Sequence, residues 1–417
     1  MPLKLRGGAE FLIDIRYPYL HIHRRRDLIR SGLDHVTPRP NKQSQLTDNG
    51  FRLSMSAAEL TALPYPFLRP EFLQALETSK SACADTGWEP IHLALDIDSQ
   101  QTVMPLYLKD HSMGEYVFDY AWANAYHDNG MDYYPKLLTA IPFTPSTGPR
   151  MTGLDSLEAD HGQQLFEEVL AVAQETGASS WHMLFPSDQQ LALFEDSRLL
   201  QRNGVQYQWF NRDYQSFDDY LNGLNSRKRK MVRKERAEVS AQNITIEVLQ
   251  GDQITSDIWQ LFYMLYERTY AKRNGTRGYL TEAFFTQIGE TMPEQIAMAV
   301  ARQGDVPIAC ALYFFDQDTL YGRYWGSAGE FSYLHFELCY YSGIEFAISK
   351  GLQKYDAGAQ GEHKIIRGFE PIKTHSLHWI EHPQFRQAIK RFLDSEQLGI
   401  EQHIQQARAI LPFRKTD

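Results

Sequence analysis

An α/β protein made of two similar halves is what the sequence predicts, and three features predict it. Apolar or alternating runs of strand length stand between clusters of Asp, Ser, Gly and Pro. Longer stretches carry apolar residues at helical spacing, and the second half repeats the order of elements in the first. The chain has 417 residues, 43% hydrophobic and 23% charged, more than one core usually serves, so two domains are expected.

Residues 1–54 are rich in Arg, Pro, Asn and Gln and hold neither period, so they read as a loosely ordered extension. His21 and His23 read as solvated tail histidines, and Met55 opens the sequence that looks like a domain. In the first domain, 55–213, Pro70 suits the first turn of a helix over 67–76. The runs 91–97, 103–108, 116–120 and 137–143 read as neighbouring strands, 158–176 as a helix and 180–185 as a short buried strand.

The second domain, 214–384, opens on Ser216-Phe217-Asp218-Asp219, where Ser216 accepts from the amide of Asp219 and starts a helix carrying a basic run. A helix over 256–272 follows, then strands at 296–302, 308–315 and 320–325, a helix over 336–350 and a strand at 355–358. Residues 385–417 give an amphipathic helix over 385–408 and a tail.

A net charge of −10 excludes a general polyanion binder, so any phosphate contact must come from the local run Arg227 to Arg236. The three cysteines are far apart without metal-type spacing and read as reduced, mostly buried thiols. No apolar stretch is long enough for a bilayer, and the run at 11–15 is too short for a secretory core; a cytoplasmic protein without membrane insertion is expected.

Several motifs in order carry a resemblance. They are Lys109-Asp110-His111-Ser112-Met113-Gly114-Glu115-Tyr116-Val117-Phe118-Asp119, Tyr133-Tyr134-Pro135-Lys136, Pro142-Phe143-Thr144-Pro145, Ser226-Arg227-Lys228-Arg229-Lys230, Tyr321-Gly322-Arg323-Tyr324-Trp325-Gly326 and Gly358-Ala359-Gln360-Gly361-Glu362-His363-Lys364. From about residue 60 to 413 the chain resembles the FemAB-like family, of the peptidoglycan biosynthesis or recognition type, in the GNAT acyltransferase superfamily. The resemblance implies tandem GNAT-like domains, each a mixed twisted sheet flanked by helices, and transfer of acyl or aminoacyl groups to amines. It leaves the donor open between aminoacyl-tRNA and acyl-CoA, with no tightly bound cofactor. Gly326-Ser327-Ala328-Gly329-Glu330 lacks the glycine spacing of a pyrophosphate cradle, which gives weight to the aminoacyl donor.

Amine acylation needs a proton acceptor and donors for the developing oxyanion. Glu362 and His363 offer the first and Lys364 the second, after glycines that let the loop bend; the same residues also suit plain loop hydrogen bonding. Strand alternation puts Arg323 and Trp325 on one face and Tyr324 on the other, Arg323 as an anion clamp or as a structural partner of Glu337. Glu337, at a helix start, reads first as a dipole partner. Glu115 and Asp119 alternate onto one face of the run 116–120 and read either as paired catalytic carboxylates or as a solvated edge; Lys136 faces an anionic substrate or is a surface lysine. Arg229 and Arg233 stand for the basic helix, suited to tRNA or a nucleotide-linked precursor. His375 and His378, three apart on a strand, fall on opposite faces and make no metal pair.

The expected function is N-acyl transfer, aminoacyl in preference, to an amine of a large anionic acceptor such as a cell-wall precursor. A catalytically inactive recognition module for tRNA or precursor, and a conventional acetyl-CoA-dependent acetyltransferase, are the alternatives.

Overall fold

The periodicities resolve into strands and helices in the computed structural model, which describes residues 2–4, 10–12, 51–54, 63–97, 100–153, 159–359 and 361–414. His21, His23, Met55 and Gln360 lie outside the described residues. The first half holds β1 (Pro2–Lys4), β2 (Glu10–Leu12), β3 (Phe51–Ser54), α1 (Pro70–Thr78), β4 (Trp88–Pro90), β5 (His92–Ile97), β6 (Gln100–Met104) and β7 (Tyr107–Lys109). After these come α2 (Tyr120–Asp128), β8 (Lys136–Thr139), α3 (Ala159–Thr176), β9 (Ser180–Leu184), α4 (Asp188–Leu191) and β10 (Leu199–Phe210). The second half holds α5 (Phe217–Gly223), α6 (Ser226–Ala241), β11 (Ile244–Gln250), α7 (Ser256–Asn274), α8 (Glu282–Thr291), β12 (Ile296–Gln303), β13 (Val306–Phe315) and β14 (Thr319–Ser327). It ends with α9 (Leu334–Phe336), a π-helical turn (Glu337–Tyr341), α10 (Ser342–Ser349), β15 (Lys354–Asp356), β16 (Glu370–Ile380) and α11 (Pro383–Ala409).

The result is a mixed α/β fold around one eleven-stranded sheet of order β11-β12-β13-β14-β15-β10-β16-β9-β8-β7-β4. Each half contributes one parallel pair, β8 with β9 and β14 with β15, and each pair is joined through helix as parallel strands require. The halves are tied by an exchange: β10 pairs antiparallel with β15 and β16 with β9, while β10 and β16 pair from Leu199–Trp379 to Gln208–Glu370. One hydrophobic cluster draws on both halves, with Phe67 and Phe72 packing edge-on against Phe284, Phe314 and Tyr321. No helix among the described residues is long and apolar enough to cross a membrane.

Three expected elements take another form. The strand expected at 116–120 is a loop followed by the start of α2, because Gly114 at φ +82° and Tyr116 at φ +63° occupy left-handed backbone that no strand accommodates. Ser216 does accept from the amide of Asp219 at 3.2 Å, but it caps the short α5; Leu224 then extends and Asn225 caps the basic helix α6 separately. The helix over 336–350 is interrupted by the π turn.

Candidate active site

Parallel strands β14 and β15 pair only from Thr319–Lys354 to Tyr321–Asp356 and then part, β15 ending while β14 runs on along β13. Such strand ends are where α/β sheets place ligands. Arg323 stands at the root of the opening. The β13–β14 register passes from Leu312–Tyr324 to Tyr313–Gly322 and skips it, so Arg323 is the extra residue of a β-bulge. The bulge overturns the expected alternation: Tyr324 joins the core of Tyr321, Trp325 packs with the other core, and Arg323 and Trp325 do not share a face.

Re-aimed by the bulge, Arg323 meets Asp356, Nη2 to Oδ2 at 2.9 Å, the two side chains 2% and 1% exposed. Burial alone would raise the Asp356 carboxyl; Arg323 and the amide of Gly358 outweigh it and hold it below the usual range. Ser146, from the first half, donates to the same carboxylate at 2.9 Å. Glu337 is therefore not the partner of Arg323. It accepts from Arg236 at 3.0 Å, and Arg236 also reaches Glu345.

Beyond Asp356 the chain turns through Gly358 and Gly361, at φ +88° and +116°. A Cβ on Gly361 would lie 2.4 Å from His363 Cε1, so glycine lets the imidazole fold back over the turn. His363 Nε2 lies 2.7 Å from the Tyr340 hydroxyl, and its ring neighbours those of Phe336 and His335; His335 in turn stands 5.0 Å from Trp325. Burial, then Arg273, the neighbouring His363, Lys364 and Arg367, push His335 down to about 3; burial, Arg367 and Lys364 lower His363 as well. Both imidazoles are neutral at pH 7, each with a lone pair for a proton. Lys364 is buried and donates to Gly358 O at 2.5 Å; burial pulls it down to about 8 against the attraction of Asp356. Glu362, by contrast, is exposed. Arg367 fixes the loop, donating to His363 O at 2.9 Å and to both oxygens of Glu235 on α6 at 2.9 and 2.8 Å.

The segment after β14 is already bonded to protein. The amide of Ala328 donates to Ile308 O at 2.8 Å, that of Ser332 to Gln242 Oε1 at 3.1 Å, and Glu330 pairs with Lys272.

The corresponding place in the first half is filled. Beyond Thr139–Met183, where β8 and β9 part, Gly148 bridges Pro186, and the buried guanidinium of Arg150 donates to the carbonyls of Leu184, Gly148, Pro149 and Ser146.

Glu115 and Asp119 do converge, but from the loop before α2 and onto a protein cation. Lys136 Nζ lies 2.7 Å from Glu115 Oε2 and 2.5 Å from Asp119 Oδ2, with all three residues buried. Lys136 is thus neither a surface lysine nor directed at a substrate. Tyr133 donates to Asp119 at 2.7 Å and also lies 3.0 Å from His182 Nε2; His182 meets His378 at 2.6 Å between Nδ1 atoms, and His375 lies on the other face of β16 beside Gln201. Burial raises Glu115 to about 7 in spite of Lys136, whereas for Asp119 the ammonium overcomes burial and brings it down to about 2.

A raised carboxyl binds its proton in the folded state after the unfolded chain has released it. Between pH 4.5 and 7 Glu115 therefore subtracts stability as pH rises. Glu115→Gln removes that contribution. Denaturant unfolding of both proteins at pH 5 and pH 8 is expected to show the variant gaining on the parent by up to about 3 kcal/mol at the higher pH; a constant difference would contradict a protonated Glu115.

On α6, Arg233 is exposed with only a 3.7 Å approach to Asp218, while Arg229 is half-buried. Sequence reasoning missed Asp356, Ser146, Arg367, Glu235 and Tyr340. Asp356 alone left a signal, as the one acid of a short strand entering a glycine-rich loop.

A family model described as FemAB-like, peptidoglycan biosynthesis/recognition, matches residues 54–415. No curated protein matches the chain by sequence. Among solved structures it is similar to FemX, at 13% identity over 74% of this chain and 92% of that one with a TM-score of 0.47. It is similar to L-PGS from Bacillus licheniformis at 10% identity over 80% and 98% with a TM-score of 0.47. A tandem GNAT protein from the clavulanic acid biosynthesis pathway matches at 9% identity over 71% and 84%, with a TM-score of 0.38. The family model covers most of the length, and the chain belongs to the FemAB-like family of peptidoglycan biosynthesis and recognition proteins.

Proposed function

We propose that the protein is a cytoplasmic N-acyltransferase working in the opening between β14 and β15, taking an aminoacyl group from RNA and delivering it to an amine of an anionic cell-wall precursor. The carrying observation is the pair of neutral imidazoles, His335 and His363, set among cations beside the parted strands. The acceptor amine arrives as an ammonium; His363, the more exposed of the two, takes its proton. The free amine attacks the ester carbonyl and the new amide bond forms as the ester bond breaks; the nitrogen's second proton passes to the departing ribose oxygen, and the one His363 took is released to solvent. Lys364, held in its charged form up to about pH 8 and bonded at rest to Gly358 O, is the cation assigned to the developing oxyanion. Membership of a peptidoglycan family supports the acceptor class. The committed amides of Ala328 and Ser332 favour a donor other than acyl-CoA, since a pyrophosphate would have to displace existing bonds.

Titration calorimetry with acetyl-CoA and with aminoacyl-tRNA tests the donor. No heat from acetyl-CoA and salt-sensitive binding of the charged RNA are expected; tight acetyl-CoA binding would make the protein a conventional acetyltransferase.

A further inference from the structure

The outer face of α6 has no role in the chemistry above, yet it carries the densest positive charge of an acidic protein. At about 100° per residue, Arg227, Lys230, Arg233 and Lys234 fall within roughly a third of the helix circumference, opposite the buried Val232, Glu235 and Val239. All four are exposed, and Glu238 closes the stripe at its C-terminal end. The inner side is tied to the site twice, by Glu235 through Arg367 to the His363 carbonyl and by Arg236 to Glu337 on the π turn. At the end of the helix, Gln242 clasps Ser332 by both its backbone groups, at 3.1 Å each. The next residue, Tyr333, is exposed, held at φ +61°, with its ring 6.4 Å from Phe336. From Phe336 a row of rings continues through His335 to Trp325 in the opening.

A cationic track leading to a row of aromatic rings is the combination that binds single-stranded nucleic acid, phosphates on the charges and bases on the rings. We propose that α6 and the row Tyr333, Phe336, His335 and Trp325 form a docking surface for a single-stranded RNA end. A membrane surface is the other polyanion, but the stripe has no large apolar side chain beside its charges. Of the exposed ones, Tyr333 stands past the end of the helix, and others, among them Met113, Phe118, Tyr120 and Met131, lie elsewhere in the chain. The acyl-transfer reading supplies only what the bound RNA carries, so the surface is testable without transfer.

The test is fluorescence anisotropy with a deacylated RNA hairpin bearing a short single-stranded 3′ overhang, beside a blunt hairpin and vesicles of anionic phospholipid. Four phosphate contacts give a slope of log affinity on log salt near −3, roughly a fiftyfold loss between 50 and 200 mM salt. Arg227→Gln/Lys230→Gln/Arg233→Gln/Lys234→Gln, a surface variant whose folding is checked by its melting curve, is expected to flatten most of that slope. Tyr333→Ala is expected to weaken the overhang about tenfold and leave the blunt hairpin unchanged. Equal affinity of parent and quadruple variant, equal affinity for both hairpins, or charge-dependent binding of vesicles with none of RNA would each overturn the proposal. RNA binding of this kind in a protein that transfers nothing would keep the surface and remove the acyl-transfer reading.

Discussion

Acyl transfer is expected to fall by about two to four orders of magnitude in the His363→Ala variant, the range a positioned base contributes. Its stability should stay close to the parent's, because the ring is exposed and bonds only to Tyr340 among the described residues. The pH profile carries the sharper evidence. Burial, Arg367 and Lys364 lower the imidazole, so the parent keeps its base neutral to below pH 6.5 and loses rate only as pH falls past that point. The variant should lose this acid limb and retain only the dependence set by the acceptor amine. Glu362→Gln should leave the rate within about twofold, since that carboxylate stands in solvent. An inactive Glu362→Gln beside an active His363→Ala would reverse the assignment of the base.

Asp356→Asn is expected to cost about 3–5 kcal/mol of stability, as breaking a buried pair leaves the other charge unpaired. Among the described residues the buried Arg323 guanidinium would then keep one hydrogen bond, to the Gly322 carbonyl, with its Nε already unpartnered. The double change Arg323→Met/Asp356→Leu should recover much of the loss, because it removes both desolvated charges together. Denaturant unfolding measures both. A cost below about 1 kcal/mol for Asp356→Asn would place the pair in solvent-like surroundings and take away the rigid root of the opening.

The second half was the more legible in sequence. Strands β12, β13 and β14 and helix α7 are apolar enough to declare themselves, and their boundaries lie close to those read from periodicity. β10 was not legible, because Gln201, Arg202, Asn203, Gln206 and Gln208 give it a polar look. It is central in the sheet, and several of its polar groups bond partners remote in sequence: the Gln206 amide donates to Pro145 O and Arg202 to Glu396. The site divides the same way. His363 and Lys364 were visible as polar residues after a glycine turn, and the meeting of Glu115 with Asp119 was anticipated, though through a strand that is a loop. The bulge at Arg323 was not visible, since one skipped residue leaves no mark on an aromatic run. It is what sends Trp325 and Arg323 apart and delivers the guanidinium to Asp356 in place of Glu337. The ties from α6 to the loop were hidden for a related reason: Glu235 reads as the lone acid of a basic run, and only the fold shows Arg367 waiting for it.

The most direct test of the central claim is mass spectrometry of an amine-bearing cell-wall precursor after incubation with this protein and aminoacyl-tRNA. A product heavier by one aminoacyl residue, formed by the parent and not by His363→Ala, is expected. A precursor unchanged in mass, with the charged RNA bound and intact, would contradict transfer and leave a recognition protein.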